Sequence, residues 1–202
     1  MIGPGAGVIC AYAEQGNAVT FYEIDPDNYE IAKRWFTYLS KCEGEVKVIT
    51  GDARLSMNDT LKDELKYDII TIDAFTGSGI PIHLLTKEAM EVYLNRLAEN
   101  GVILFHISND FYNLRPVIKS TSQALNLFGA MNPIVGKERL KKYENTSSCV
   151  AVARNPMRLQ PLIDREWTLF SEKDGLSKVK PWTDDYINIL APLIEKMKRG
   201  VV

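Results

Sequence analysis

Cysteine is scarce, with only Cys10, Cys42 and Cys149 among 202 residues. The number is odd and the spacing wide. No pair has the separation of a metal clip or a redox dithiol, which excludes a disulfide-built scaffold and fits a reduced, cytoplasmic setting. Histidine is scarcer still, with His83 and His106 alone. No grouping of His, Cys and carboxylate has ligand spacing, so no metal is expected. An excess of one charge is missing too: 24 basic residues against 26 acidic leave a net charge of −2, with no general pull toward nucleic acid or an anionic membrane. No apolar run is long enough to span a bilayer, no signal-peptide pattern precedes the first glycines, and no repeat or low-complexity segment interrupts the chain. One structural piece is also lacking. A glycine-rich turn, "GPGAG", stands at residues 3–7 with only Met1 and Ile2 before it, whereas turns of this kind normally follow a buried strand. That gap predicts a fragment of a longer protein, or a misplaced start.

What is present is an ordinary globular composition, 46% apolar and 25% charged, at a length that fits one domain with a substantial core. Strand-like and helix-like stretches alternate. "AGVICAYAEQG" reads as a helix ended by Gly16, and "AVTFYEI" as a strand. Pro26 opens a helix over "PDNYEIAKRWFTYLSKC", with Asp25 as its cap. "VKVIT", "YDIITID" and "GVILFHIS" read as further strands, the middle one apolar enough for the centre of a parallel sheet. Between them lie a polar helical stretch to about Lys66 and a helix over "TKEAMEVYLNRLA" capped by Thr86. "NLRPVIKSTSQALNLF" is a helix, and "GAMNPIVG" with "SSCVAVARN" a closing antiparallel pair. The expected fold is therefore α/β: a doubly wound, mainly parallel sheet with an antiparallel C-terminal pair, lacking its first central strand. One domain is expected, with its sheet core in residues 1–153 and an extension in 154–202.

In such sheets ligands bind beyond the carboxyl ends of the strands, which selects the residues to inspect. Gly3, Gly5 and Gly7 can let backbone amides approach an anionic or polar ligand. The third glycine is one place early for a dinucleotide fingerprint, and no Lys-Ser/Thr pair follows to make a phosphate loop of the Walker type. Glu23 ends the next strand twenty residues after Gly3, where a carboxylate can accept both hydroxyls of a ribose. Asp52 and Ala53 in "TGDA" end the third strand, where Asp52 can meet an adenine amino group, cap a helix, or do both. His106 and Asn109 follow a buried strand at the same edge. Near the C-terminus, Asp184 and Asp185 stand beside Trp182 and Tyr186, a combination of acid and aromatic suited to a cationic amine; Thr183 or Asp184 can equally cap a helix over "YINILAPLIEKM". The charged run "KERLKKYENTSS" is either a loop over the site or a solvated surface.

Together "GPGAG", "FYEID", "TGDA" and "YDIITIDAF" resemble the S-adenosylmethionine-binding fold of class I methyltransferases. More narrowly, the stretch from "YDIITIDAFTGSG" to "GVILFHISN" and the later "KPWTDDYINIL" resemble the spermidine synthase (polyamine aminopropyltransferase) family, including members fused to a transporter-like membrane half. The resemblance implies a co-substrate, S-adenosylmethionine or its decarboxylated form, and no metal. It implies an amine that attacks the carbon beside the sulfonium and displaces methylthioadenosine, with a carboxylate taking the proton. The family's base maps onto Asp73. Two acids of the family are missing: the one in its glycine loop falls on Ala6, and the second aspartate of its "D-S-S-D-P" motif falls on Thr76. Each loss removes a charge-assisted contact worth ~1.5–3 kcal/mol.

Three activities follow as alternatives: aminopropyl-type transfer to an amine, methyl transfer from intact S-adenosylmethionine, or nucleoside binding without catalysis in a larger, membrane-attached protein. The expected partner is a small-molecule amine, with a homodimer left open and neither nucleic acid nor a membrane segment in this chain.

Overall fold

Two compact units emerge from the computed structural model, which describes residues 1–59, 65–75, 79–109, 111–133 and 147–199. One comprises Met1–Glu64 with Ile72–Ala74, the other Leu65–Thr71 with Phe75–Val202. The divisions fall at 64/65, 71/72 and 74/75.

The first unit is built on parallel pairing. The β-branched and aromatic run Ala18–Glu23 forms β1, and Glu45–Thr50 forms β2; they pair in parallel from Ala18 against Glu45 to Glu23 against Thr50. Ile2 occupies the place where the sequence predicted no strand. It bridges Tyr22 of β1 on one side and Ile72 on the other, both in parallel sense. Tyr22 N–H donates to the Met1 carbonyl and Gly3 N–H to the Tyr22 carbonyl, while Asp73 N–H donates to the Ile2 carbonyl. A single residue thus satisfies inner-edge groups that would otherwise be orphaned. Ile2, Phe21, Tyr22 and Ile72 are all buried around it.

The helix expected directly after the glycines is instead a five-residue 3₁₀ turn, Val8–Tyr12. Val8, Ile9 and Tyr12 are exposed and only Cys10 is buried, so no apolar stripe is available to hold a longer helix. Helix α1, Pro26–Trp35, begins as predicted at Pro26 with Asp25 capping Asp27 N–H. It stops seven residues short of Cys42, at an extended Phe36. Trp35 and Phe36 are both exposed, so continuing the helix would bury little. Helix α2 covers Ala53–Asn58; residues 60–64 of the stretch expected to be helical lie outside the described residues.

The second unit holds most of a five-stranded sheet of order β3-β4-β6-β5-β7. Strand β3 is Tyr67–Ile72, whose last residue belongs to the first unit; β4 is Leu97–His106, β5 Phe128–Met131, β6 Cys149–Ala153 and β7 Thr168–Leu169. Strand β6 runs antiparallel to both β4 and β5, which is the predicted closing pair, and the two-residue β7 adds antiparallel to β5. Helix α3, Lys87–Arg96, is capped by the Thr86 hydroxyl, which accepts Ala89 N–H. Helix α4 is Arg115–Ala124.

The core of this unit gathers Tyr93, Phe105, Ile103, Val117, Ile118 and Val150, all essentially inaccessible. Two buried cations on α4 are paired rather than stranded: Arg115 donates to Ser148 and Asn132, and Lys119 to Asp174 and the Ser171 carbonyl. Buried charges demand such partners. After a short helix α5, Gln160–Ile163, the chain ends in α6, Leu190–Arg199. The C-terminal helix therefore starts later than "WTDDY" suggested. Asn188, not Thr183 or Asp184, accepts the N–H groups of Leu190 and Ala191, while Thr183 and Tyr186 pair with each other across a tight turn. Among the described residues no helix is long and apolar enough to cross a membrane.

Candidate functional site

In the first unit the strand ends converge. Ile2, Tyr22 and Ile72 are level with one another across the parallel bridges, so the residues that follow them, Gly3, Glu23 and Asp73, are level too. Parallel neighbours lie ~4.8 Å apart, which sets Glu23 and Asp73 about 10 Å apart at the backbone, with Gly3 between them. The pleat turns residues one step past the bridge to the face opposite Ile2, so both carboxylates leave from the same side. Thr50, level with Glu23, leads into Gly51 and Asp52, and Gly51 N–H donates to the Glu23 carbonyl.

The glycine turn is shaped for close approach. Gly3, Gly5 and Gly7 have φ of +80°, +50° and +80°, conformations that favour glycine. A Cβ on Gly3 would lie 2.5 Å from the Asp73 carbonyl oxygen, and one on Gly7 would strike the Leu39 side chain at 2.8 Å. Gly7 N–H closes the turn on the Pro4 carbonyl.

Glu23 is only 6% exposed. Its Oε1 accepts the backbone N–H of Asp25 at 2.9 Å and the side-chain amide of Asn28 at 3.4 Å. Among the described residues these bonds engage one carboxylate oxygen and leave the other available. Asn28 was not singled out in the sequence. Its signal is its place in the first turn of the helix that follows the acid, where a side chain can reach back to the strand end. Asp52 caps α2 by accepting Leu55 N–H at 2.8 Å, and Ala53 is buried behind it. Asp73 is half-buried.

The remaining candidates belong to the second unit. The Nε2 of His106 shares a 2.8 Å hydrogen bond with Ser108, and its ring meets Phe75 edge-on. Asn109 is a loop organiser: its amide donates to the carbonyls of Ile107 and Tyr112, and its oxygen accepts N–H from Phe111 and Tyr112. The Asp184 carboxylate accepts from the Thr86 hydroxyl at 2.9 Å, while its backbone N–H donates to Glu88. Asp185 is exposed. The Tyr186 ring already carries a cation, with Lys180 Nζ 5.8 Å from its centroid. Thr76 and residues 137–146 of the charged run lie outside the described residues. Among the described residues no group of three His, Cys, Asp or Glu side chains could hold a metal.

The Cys10 thiol and the Asp174 carboxyl are electrostatically displaced from their ordinary values. Burial, with a hydrogen bond and charge from Cys42, pushes the Cys10 thiol up to about 12. Burial pushes Asp174 up, but the hydrogen bond and charge of Lys119 and the N–H groups of Ser171 and Leu176 outweigh it and hold this carboxyl below the usual range.

No protein-family model matches the chain. A polyamine aminopropyltransferase of Vibrio vulnificus (strain CMCP6) is 32% identical over 132 residues, covering 64% of this chain and 42% of that protein. The chain thus spans about two fifths of the length of this curated relative. A probable spermidine synthase from Corynebacterium glutamicum superposes with a TM-score of 0.53 at 16% identity, covering 84% of this chain and 65% of that one. Human methyltransferase-like protein 13, solved in complex with SAH, superposes at 0.57 and 16% identity, covering 87% and 85%. The sequence resemblance to polyamine aminopropyltransferases is borne out, and the fold is that shared by spermidine synthases and class I methyltransferases.

Proposed function

We propose that this chain binds decarboxylated S-adenosylmethionine along the strand ends of its first unit and transfers the aminopropyl group to a small amine. The observation that carries the reading is Glu23. It is a nearly buried carboxylate whose one oxygen is held by Asp25 and Asn28 and whose other is available, the arrangement that suits a vicinal diol. The glycine turn beside it supplies backbone amides close to the ligand, and Asp52 at the next strand end reaches the base.

In the reaction, the neutral amine nitrogen attacks the carbon beside the sulfonium in line with the C–S bond. That bond's electron pair goes to sulfur and methylthioadenosine leaves. The Asp73 carboxylate takes the ammonium proton, which keeps the product from reverting and the nucleophile's lone pair free. The similarity to the Vibrio vulnificus aminopropyltransferase over 132 residues supports this assignment, and free cysteines support a reducing, cytoplasmic setting.

One feature favours methyl transfer from intact S-adenosylmethionine as a second reading. Ala6 leaves the glycine turn without the acid that would repel the donor's carboxylate. Titration calorimetry with S-adenosylmethionine, its decarboxylated form and methylthioadenosine separates the two. Tightest binding of the decarboxylated donor, with turnover abolished and nucleoside affinity kept in Asp73→Asn, supports the proposal. Turnover surviving Asp73→Asn overturns the assignment of the base, and binding of none of the three overturns the whole reading.

A further inference from the structure

The second unit contains an apolar cavity of about 360 Å³, within the size range of small-molecule sites. Its floor is Leu85, Leu114 and Trp182, each buried, with Ile80 beside them. Ile82 and the 41%-exposed Ile189 stand at its mouth. Four separate stretches of chain meet there, and hydrogen bonds tie three of them to their neighbours. The Trp182 carbonyl accepts Lys87 N–H at the start of α3. Tyr112 is bracketed by Asn109, which accepts its N–H and donates to its carbonyl. Asn113 N–H donates to the Pro192 carbonyl beside α6.

The chemistry of the lining is one-sided. Among the described residues not one lining side chain is charged, and the only side-chain polar groups are the Tyr112 hydroxyl and the Trp182 indole N–H. An ammonium or carboxylate drawn into this space would lose its hydration with no counter-ion to replace it. Hydrocarbon would gain by displacing water from the isoleucine and leucine walls, and an aromatic ring could also stack on Trp182.

We propose that this cavity is a binding site for the uncharged, apolar group of a small molecule, an alkyl chain or a single ring, and that it rejects a diammonium chain. The inference goes beyond the transfer chemistry and does not depend on it, since the cavity lies within the second unit and its probes carry no nucleoside.

Titration calorimetry of the full chain with 1-butanol, 1-pentanol, 1-hexanol and 1,4-diaminobutane tests it. Affinity is expected to rise about fourfold with each added methylene, the increment for burying one CH₂, and any binding of 1,4-diaminobutane is expected to be unchanged by filling the cavity. Ile189→Trp and Ile82→Trp, both at the mouth, should each weaken 1-hexanol tenfold or more at unchanged far-ultraviolet circular dichroism. Affinity that is flat with chain length, diamine binding that is lost together with hexanol binding in Ile189→Trp, or hexanol binding unaltered in a folded Ile189→Trp chain would each overturn the proposal.

Discussion

Gly3 and Asp73 are in backbone contact: the space a Cβ on Gly3 would need is occupied, at 2.5 Å, by the Asp73 carbonyl oxygen. The carboxylate assigned as the base thus stands on a peptide that packs directly against the glycine turn. Gly3→Ala must both strain a φ of +80° and push Asp73 away. A loss of about 2–3 kcal/mol of stability is expected, from strain of ~1–3 kcal/mol and the added overlap. Gly5→Ala, at a φ of +50° with open space around it, should cost about half as much. Urea melts of the two variants against the parent chain make the comparison.

Glu23→Gln keeps the shape of the side chain and an oxygen for Asp25 N–H, but it removes the charge. The fold should survive with little change in melting temperature. Affinity for methylthioadenosine should fall about 10- to 100-fold, since hydrogen bonds to a charged acceptor contribute ~1.5–3 kcal/mol. Calorimetric titration reads it directly, and unchanged affinity would remove Glu23 from the ribose.

Acid sensitivity is expected from a buried ion pair of the second unit. Lys119 and Asp174 meet at 2.9 Å with side chains 10% and 1% exposed. Because the Asp174 carboxyl is held below its ordinary value of 3.8, the folded state binds fewer protons than the unfolded state around that pH. The stabilisation is complete above 3.8 and drains away as pH falls through the lower folded-state value. Asp174→Asn should therefore cost about 3 kcal/mol at pH 7, as expected for breaking a buried pair, and progressively less below pH 4. Urea midpoints of both proteins between pH 2.5 and 7 check the sign.

Thiol reactivity should separate the cysteines. With its thiol raised from 9.0 to about 12 and its side chain buried, Cys10 holds about a thousandfold less thiolate at pH 8 than an ordinary cysteine. Iodoacetamide on the native chain should label the half-buried Cys42 at least a hundredfold faster than Cys10, and unfolding should abolish the difference. Peptide mass spectrometry resolves the two sites.

Much of this molecule can be read from its residues. Strands β1 to β6 and helices α1, α3 and α4 follow from β-branched runs, helical spacing and the caps Asp25 and Thr86, because these signals are local. Glu23, Asp52 and Asp73 stand out as candidates because Glu23 ends β1 and the other two follow the ends of β2 and β3. The failures share a physical cause. Ile2 fills its slot by a single bridge on each side, and one residue has no periodicity to detect. Helix α1 stops at Trp35 and the Val8–Tyr12 segment stays a 3₁₀ turn because their apolar side chains find nothing to pack on, which spacing alone does not reveal. The two-residue β7 is too short to carry a pattern. The cavity near Trp182 is assembled from four distant stretches, each of which reads as ordinary core.

Ile2 gives the candidate site a mechanical property. Gly3 N–H donates to the Tyr22 carbonyl and Asp73 N–H to the Ile2 carbonyl, so the backbones that carry Glu23 and Asp73 are hydrogen-bonded through one short connection. On the proposed reading, selectivity along this edge rests on reach: the backbone spacing between Glu23 and Asp73 is the ruler against which a nucleoside and its side arm would be measured.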